Sequence, residues 1–231
     1  MNYFTFDGER SDRYGVGISG SGTFNAPQKD VEMVSVPGRN GDLTISNNRF
    51  ENIKITYPAY IASKMPDKIG GFFAMLLSGR GYKRLEDTYH PEEYRMAVFS
   101  GNVKVDPVAL NVAAEFKLEF DCKPQRFLKI GELSTTLTAT GKIYNPTLFE
   151  AKPLLRLYGT GYVKVNSQQI TVNSASGHTD IDCELMEAYK GSTNCNANVV
   201  LPDSVVLIPG ENVITISGIT QIDITPRWWT V

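Results

Sequence analysis

Cysteine and histidine are scarce in this chain, with three and two among 231 residues. The cysteines are Cys122, Cys183 and Cys195. None lies in a C-x-x-C pair, and His90 and His178 are distant from them in sequence. A zinc site built from these residues is not expected. An odd cysteine count fits a reducing compartment better than secretion. Cys183 and Cys195 could pair, but free buried thiols are favoured. The N-terminal stretch Met1–Asp7 has no basic region followed by an apolar core, so no secretory signal is read there. No apolar run approaches the roughly 18 residues that a membrane span needs. The net charge is −2, and no Lys/Arg run occurs, so sequence-independent binding to nucleic acid through phosphate neutralisation is not expected. G-x-S-x-G, a Walker loop, a dinucleotide fingerprint and a metal-ligand cluster are all missing. Catalysis is therefore disfavoured, and no cofactor is expected.

The composition is that of a folded protein, with 42% hydrophobic and 21% charged residues. The stretch Phe116–Leu128 divides the chain. Phe116, Leu118, Phe120 and Cys122 alternate with Lys117, Glu119 and Asp121, which predicts a half-buried strand. Pro124 lacks a ladder donor and should end it. The residues on either side differ in character, so the chain is divided into domains 1–126 and 127–231.

In the first domain, Tyr3–Phe6 is predicted as a strand closed by Asp7-Gly8. Gly15, Gly17, Gly20 and Gly22 could suggest a phosphate-binding loop. That would need a helix start after them, and Thr23-Phe24-Asn25-Ala26-Pro27 is not one, so strand and turn are favoured. Val31–Ile45 reads as a β-hairpin with Asn40-Gly41 as a type I′ turn. Pro37 marks an edge or an arm. At its tip, Arg39 and Asp42 either grip a partner or simply form a solvated turn. Asn52–Tyr57 alternates as another strand. The one helix follows: Pro66 and Asp67 suit its first turn, and Ile69, Phe72, Phe73, Leu76 and Leu77 form a buried stripe. Ser78-Gly79 should close it in the left-handed conformation. Gly70 and Gly71 weaken it, and close approach of another backbone would explain them. Two further strands, Tyr82–Leu85 and Tyr94–Phe99, flank an acidic turn, Glu86–Glu93. These carboxylates could do acid/base chemistry, but a solvated or partner-facing turn is favoured.

After Pro124, short β-rich runs recur with turns between them, the spacing of a β-sandwich. They are Leu154–Tyr158, Tyr162–Val165, Ile170–Val172, Ile181–Leu185, Val205–Ile208, Val213–Ile216 and Ile222–Thr225. Trp228 and Trp229 should face opposite ways, one towards the core and one exposed. An exposed Trp could stack on a sugar, or cover a sheet edge or subunit contact.

Four segments occur together in order: Val36–Asp42, Leu85-Glu86-Asp87 with Tyr94–Ala97, Phe120–Phe127, and Leu207–Ile214 with Ile224–Trp229. In this register the chain resembles the distal tail proteins of long, non-contractile-tailed bacteriophages. The resemblance implies an α+β N-terminal belt domain, mostly β with one helix, followed by an all-β galectin-like sandwich. It implies a structural protein of the virion tail tip, assembled in the host bacterial cytoplasm. Such a protein forms a homo-oligomer, a hexameric ring with DNA passing through its lumen. Its implied partners are the major tail tube protein and the tail-associated tip protein, with a receptor-binding protein as a further candidate. The residues assigned to the subunit interface are Arg39, Asn40, Asp42, Glu86, Asp87 and Arg95. The alternative is a carbohydrate-binding module for the host surface. Against it, no H-x-N-x-R stretch of the galectin type occurs: His178 is followed by Thr179-Asp180.

Limited proteolysis should cut between Pro124 and Ile130 and leave a C-terminal β fragment that stays folded. A single unfolding unit without a stable fragment would defeat the two-domain division.

Overall fold

The computed structural model describes residues 1–20, 22, 24–101, 103–108 and 112–231. Thr23, part of the segment expected not to start a helix, lies outside the described residues; Phe24–Gln28 has no regular structure. The chain forms two compact units, Met1–Arg126 with Val231, and Phe127–Thr230.

The first unit contains strands β1 (Phe4–Phe6), β2 (Glu9–Arg10), β3 (Val16–Ile18), β4 (Lys29–Val34), β5 (Leu43–Phe50), β6 (Ile53–Ile61), β7 (Lys83–Asp87), β8 (Glu93–Val98), β9 (Val105–Val108) and β10 (Ala113–Cys122). One helix, α1, spans Met65–Leu77. The main sheet runs β2-β1-β7-β8-β10-β6-β3, with β9 added beside β10. The alternation expected of Phe116–Cys122 is present along β10, where Ala114, Phe116, Leu118, Phe120 and Cys122 are buried. β6 answers in kind, burying Ile53, Ile55, Tyr57, Ala59 and Ile61. The Phe120 ring lies 5.1–5.9 Å from the rings of Phe4, Phe6, Tyr57 and Phe99, mostly tilted or edge-on, the arrangement that suits aromatic quadrupoles. The glycine-rich stretch is turn and strand: Gly15 closes a short 3-10 turn and Gly17 lies within β3.

Helix α1 buries Phe72 and Leu76, with Ile69 and Phe73 half-buried against the same core. Leu77 departs from the expected stripe: it is 60% exposed, and Met65 and Met75 pack on the core instead. The predicted left-handed end is also absent. Ser78 closes the helix in right-handed geometry, its N–H donating to the Ala74 carbonyl (2.9 Å). Among the described residues, no backbone of another element crowds the two helix glycines. A methyl at Gly70 would meet nothing within 4 Å, and one at Gly71 only the Tyr14 ring at 3.5 Å.

The boundary between the units is crossed by β11 (Arg126–Leu128). The second unit then contains β12 (Thr135–Leu137), β13 (Gly141–Asn145), β14 (Leu154–Val165), β15 (Gln168–Val172), β16 (His178–Asp182), β17 (Glu187–Lys190), β18 (Thr193–Asn194), β19 (Val199–Val200), β20 (Gly210–Thr225) and β21 (Trp229–Thr230). Nine of these make one sheet, ordered β12-β20-β14-β16-β17-β18, with β13 on β20, β15 on β14 and β19 on β15. It encloses a core of Leu155, Leu157, Val163, Ile181, Leu207, Ile214, Ile222, Ile224 and their neighbours. This is the all-β unit expected for 127–231. All three cysteines are free thiols.

Two pairs of runs expected as separate strands are single bent strands. Leu154–Tyr158 and Tyr162–Val165 are halves of β14, and Val213–Ile216 and Ile222–Thr225 are halves of β20. Their mutual register slips between Tyr158 and Tyr162, where Gly161 (φ +139°) faces Gly218 (φ +75°). A Cβ on Gly161 would collide with the Ser217 carbonyl oxygen, so the two strands can approach this closely only without side chains. Val205–Ile208, also expected as a strand, makes only a bridge between Leu207 and Ala151. Trp228 is core, at 5% exposure. Trp229 is half-buried; it stacks on Phe149 (4.4 Å between centroids) and donates its indole N–H to the Glu150 carbonyl (2.9 Å).

Replacement of the exposed Gly70 by alanine should raise the stability of the first unit by about 1 kcal/mol, through helix propensity alone. Gly161→Ala should lower that of the second by more than about 2 kcal/mol, because backbone must move. Denaturant unfolding of each variant measures both; equal effects would contradict the contrast in their surroundings.

Candidate functional site

Strands β4 and β5 stand apart from the main sheet as a two-stranded ribbon. Their register pairs Val31 with Ser46, Glu32 with Ile45, Met33 with Thr44 and Val34 with Leu43. Opposed residues share a face, so Val31 and Met33 lie on one side and Val34, Leu43 and Ile45 on the other. Both sides are therefore partly apolar. Met33 is 62% and Ile45 44% exposed, and Val31 and Leu43 are similarly open. Near its base the ribbon is tied by Asp30, which accepts from the Arg49 guanidinium (2.5 Å) and the Asn47 amide (2.9 Å). These contacts hold Asp30 below the usual carboxylate range. An isolated two-stranded ribbon is at best marginally stable in water. One with apolar faces and open edges is built to be covered.

The ribbon's end differs from the predicted type I′ turn at Asn40-Gly41. The last pair, Val34↔Leu43, leaves residues 35–42 as a loop. The Arg39 N–H donates to the Val36 carbonyl (3.1 Å), and Gly38 has φ +78°. Val36-Pro37-Gly38-Arg39 is thus a type II turn, with proline and glycine in the positions that type prefers. Asn40 keeps a negative φ and follows this turn. Arg39, Asn40 and Asp42 are all exposed there.

Glu86, Asp87 and Arg95 lie elsewhere in the same unit; Glu86 and Asp87 are on a strand rather than in the predicted acidic turn, and Arg95 is on a strand as predicted. Glu86 and Asp87 belong to β7, and Arg95 to β8. Glu86 accepts from the Arg84 guanidinium (2.5 Å). Asp87 anchors the turn between the strands. It accepts from the backbone N–H groups of Tyr89 (2.9 Å) and His90 (2.8 Å) and from the Tyr57 hydroxyl (2.6 Å), while His90 Nδ1 lies 3.0 Å away. Burial, followed by the Asp87 charge, raises the Tyr57 phenol well above its ordinary value. Glu93 takes a two-pronged contact from the Arg126 guanidinium (2.7 Å each). Half-buried Arg95 reaches the Pro124 carbonyl (3.4 Å), and desolvation lowers its pKa. Tyr57, Asp87, His90, Glu93, Arg95 and Arg126 line a cavity of about 20 Å³, room for one water and not for a sugar. The carboxylates here are held by neighbours rather than aimed at a substrate space.

The predicted interface residues therefore form two groups, an exposed tip of Arg39, Asn40 and Asp42 and an internally bonded corner of Glu86, Asp87 and Arg95. The exposed apolar faces of the ribbon were missed from sequence because Val31, Met33 and Ile45 looked like ordinary strand residues. Pro37, read from sequence as an edge or an arm, pointed to the ribbon but not to its open faces.

No protein-family profile and no curated protein matches the chain. Among solved structures, Dit (gp 19.1) of SPP1, described as a paradigm of the hub adsorption apparatus in phages infecting Gram-positive bacteria, matches with a TM-score of 0.80 over 100% of both chains, at 11% identity. The chain has the fold of SPP1 Dit. A chain of the phage p2 baseplate in its activated conformation with Sr matches with a TM-score of 0.55 over 97% of both chains, at 12% identity. The Dit fold is the α+β unit followed by an all-β unit that the sequence resemblance implied, and it runs the full length of the chain.

Asp87→Ala should destabilise the first unit by about 3 kcal/mol, because it strands the buried Tyr57 hydroxyl and two turn N–H groups. Arg39→Ala and Asp42→Ala should change stability by less than about 0.5 kcal/mol, as exposed loop substitutions do. Urea titration of the three variants checks the division into corner and tip.

Proposed function

We propose that this protein is a structural component of a bacteriophage tail tip, a distal tail protein that closes into a homo-hexameric ring. The ring joins the tail tube to the tip and host-adhesion apparatus, and DNA passes through its lumen. The observation that carries the reading is the full-length likeness to SPP1 Dit. The uncovered β4–β5 arm supports it independently, since apolar faces on both sides of a free ribbon call for another chain. In a ring each copy presents one patch to the next and a different patch to the previous one, so the contact is heterologous. The arm is one half of that contact, with Arg39, Asn40 and Asp42 at its polar tip. Glu86, Asp87 and Arg95 act behind it, fixing the corner from which neighbouring strands are presented. The near-neutral charge suits a lumen that releases nucleic acid instead of retaining it. The partners in this reading are further copies of the chain, the major tail tube protein and the tail-associated tip protein, with a receptor-binding protein as a candidate on the second unit.

Neither the carbohydrate-binding alternative nor acid/base chemistry by the carboxylates of 86–93 is favoured by a specific observation. A sugar-binding module needs an open aromatic platform, whereas Trp228 is buried and Trp229 is stacked on Phe149. A wall-degrading enzyme needs carboxylates facing a substrate cleft, whereas Glu86, Asp87 and Glu93 are bonded to neighbours.

Light scattering at high protein concentration should approach six times 25.6 kDa, about 154 kDa, by ring closure. Met33→Lys combined with Ile45→Lys should abolish this while leaving monomer stability within about 0.5 kcal/mol, because neither side chain is buried in the protomer. A wild-type chain that stays monomeric at every concentration, with and without the tail tube protein, would overturn the ring.

A further inference from the structure

The chain contains one Asn-Gly pair, Asn40-Gly41, and it lies in the exposed loop at the end of the arm. Among the described residues, neither the Asn40 carboxamide nor the Gly41 N–H takes part in a hydrogen bond. Among the described residues, a Cβ at Gly41 would meet nothing within 4 Å, and glycine itself has no side chain to hinder attack by its nitrogen. Several other asparagines are held by hydrogen bonds. Asn52 donates to the Tyr82 hydroxyl (2.6 Å) and Asp121 (2.7 Å), and the next residue is the branched Ile53. Asn166 donates to Asn212 (2.9 Å), and Asn47 to Asp30 (2.9 Å). Asn145 donates to the Phe149 and Leu207 carbonyls and precedes Pro146, which has no N–H to react.

We propose that Asn40 is a spontaneous deamidation site that converts the arm tip from an amide to a carboxylate. The Gly41 backbone nitrogen attacks Asn40 Cγ. The N–Cγ bond forms, the Cγ–Nδ2 bond breaks, and ammonia leaves with the proton that the Gly41 nitrogen gives up. Water then adds to either carbonyl of the five-membered imide. One opening gives an aspartyl residue; the other gives an isoaspartyl residue whose backbone is longer by one methylene. No oxidant or reductant is involved. Either product adds one negative charge between Arg39 and Asp42 to a chain of formal charge −2. The isoaspartyl product also changes the path of a loop whose geometry is set two residues earlier by Pro37-Gly38. The exposed, unbonded loop gives the imide the freedom to form, which a strand or a hydrogen-bonded turn would deny. The attacking species is the deprotonated amide, so conversion quickens as pH rises. This chemistry belongs to the free chain and stands without the ring; where the arm tip is a subunit contact, conversion would change that contact.

The test incubates the full-length chain at mildly alkaline pH. Peptide mass spectrometry then follows Asn40–Arg49, with fragment ions separating Asn40 from Asn47 and Asn48, and an isoaspartyl methyltransferase assay reads the second product. The expected result is conversion of Asn40 ahead of every other asparagine, with isoaspartate formed and both signals lost in Asn40→Gln. Retention of the Asn40 amide while Asn47, Asn48 or another asparagine converts would overturn the inference. So would an isoaspartyl signal unchanged in Asn40→Gln. Conversion in a chain that never oligomerises would support the deamidation site and count against the ring, so the two fail separately.

Discussion

Nine consecutive cross-strand pairs, from Ala114↔Ile61 to Cys122↔Ile53, lock β10 onto β6, and the rest of the first unit takes its positions from them. Because the side-chain period is two, this single register sends five residues of each strand into the core and turns Lys54 and Glu119 outward, where they form an exposed ion pair. A slip by one residue would exchange the faces and expose Phe116, Leu118, Phe120, Ile53 and Ile55 to water. At about 1.5–3 kcal/mol per large apolar side chain, that error costs on the order of 10 kcal/mol, comparable to the whole stability of a domain. The same register carries the far end of β10 to β8, through Asp121↔Val98 and Cys122↔Ala97. It also sets Tyr57 where its hydroxyl reaches Asp87. The polar corner is thus a consequence of the hydrophobic ladder.

The second unit solves a different problem. A sheet of nine strands must bend to enclose its own core, and long strands resist bending. The meeting of Gly161 and Gly218 removes the two side chains that would collide, and the register slip beside them relieves the rest. The buried polar groups are then satisfied one by one. Asn212 accepts from the Ile208 N–H and donates to the Ile208 and Gly210 carbonyls. Asp182 takes both guanidinium nitrogens of Arg227 (2.9 and 2.8 Å). Burial by itself would raise the Asp182 pKa; the Arg227 contact and the Glu184 and Leu185 N–H groups outweigh it, and the net shift is downward. A lowered folded-state pKa means that this contribution to stability is present above the ordinary aspartate range, near 4, and is lost as pH falls through the lowered value.

The sequence was most readable where a single local signal decided the outcome. The alternation of Phe116–Cys122 gave the strand, its buried face and its end, and Ile69, Phe72, Phe73 and Leu76 gave the helix and its core side. It was least readable where two distant residues act together. Gly159 and Gly161 look like strand breaks, and only the presence of Gly218 opposite turns them into a bend within one strand. Asp87 reads as one more carboxylate in an acidic run, because its partner Tyr57 is thirty residues earlier. The arm is an intermediate case. Its two strands and the arm mark at Pro37 were legible, but the turn is made by Pro37-Gly38 and not by Asn40-Gly41, and the emptiness around both faces is a tertiary fact with no local signature.

That emptiness has an energetic consequence for a ring. Val31, Met33, Leu43 and Ile45 are each about half exposed, so covering them would contribute on the order of 1 kcal/mol apiece, or several kcal/mol per arm. Bringing two free chains together costs an estimated 4–15 kcal/mol in lost translation and rotation. A lone arm-to-neighbour contact therefore sits near break-even, and open dimers should be sparse. Closure changes the balance, because the last contact of a ring is made between chains already held together and adds its burial without a further association cost. With such an arm, the closed ring is populated or the monomer is, and little lies between. Assembly on a template that gathers the copies, such as the end of a tail tube, would lower the association cost further. An arm with fully exposed, strongly apolar faces would oligomerise on synthesis; in the proposed ring, half-exposed faces such as these would associate only when their neighbours are gathered.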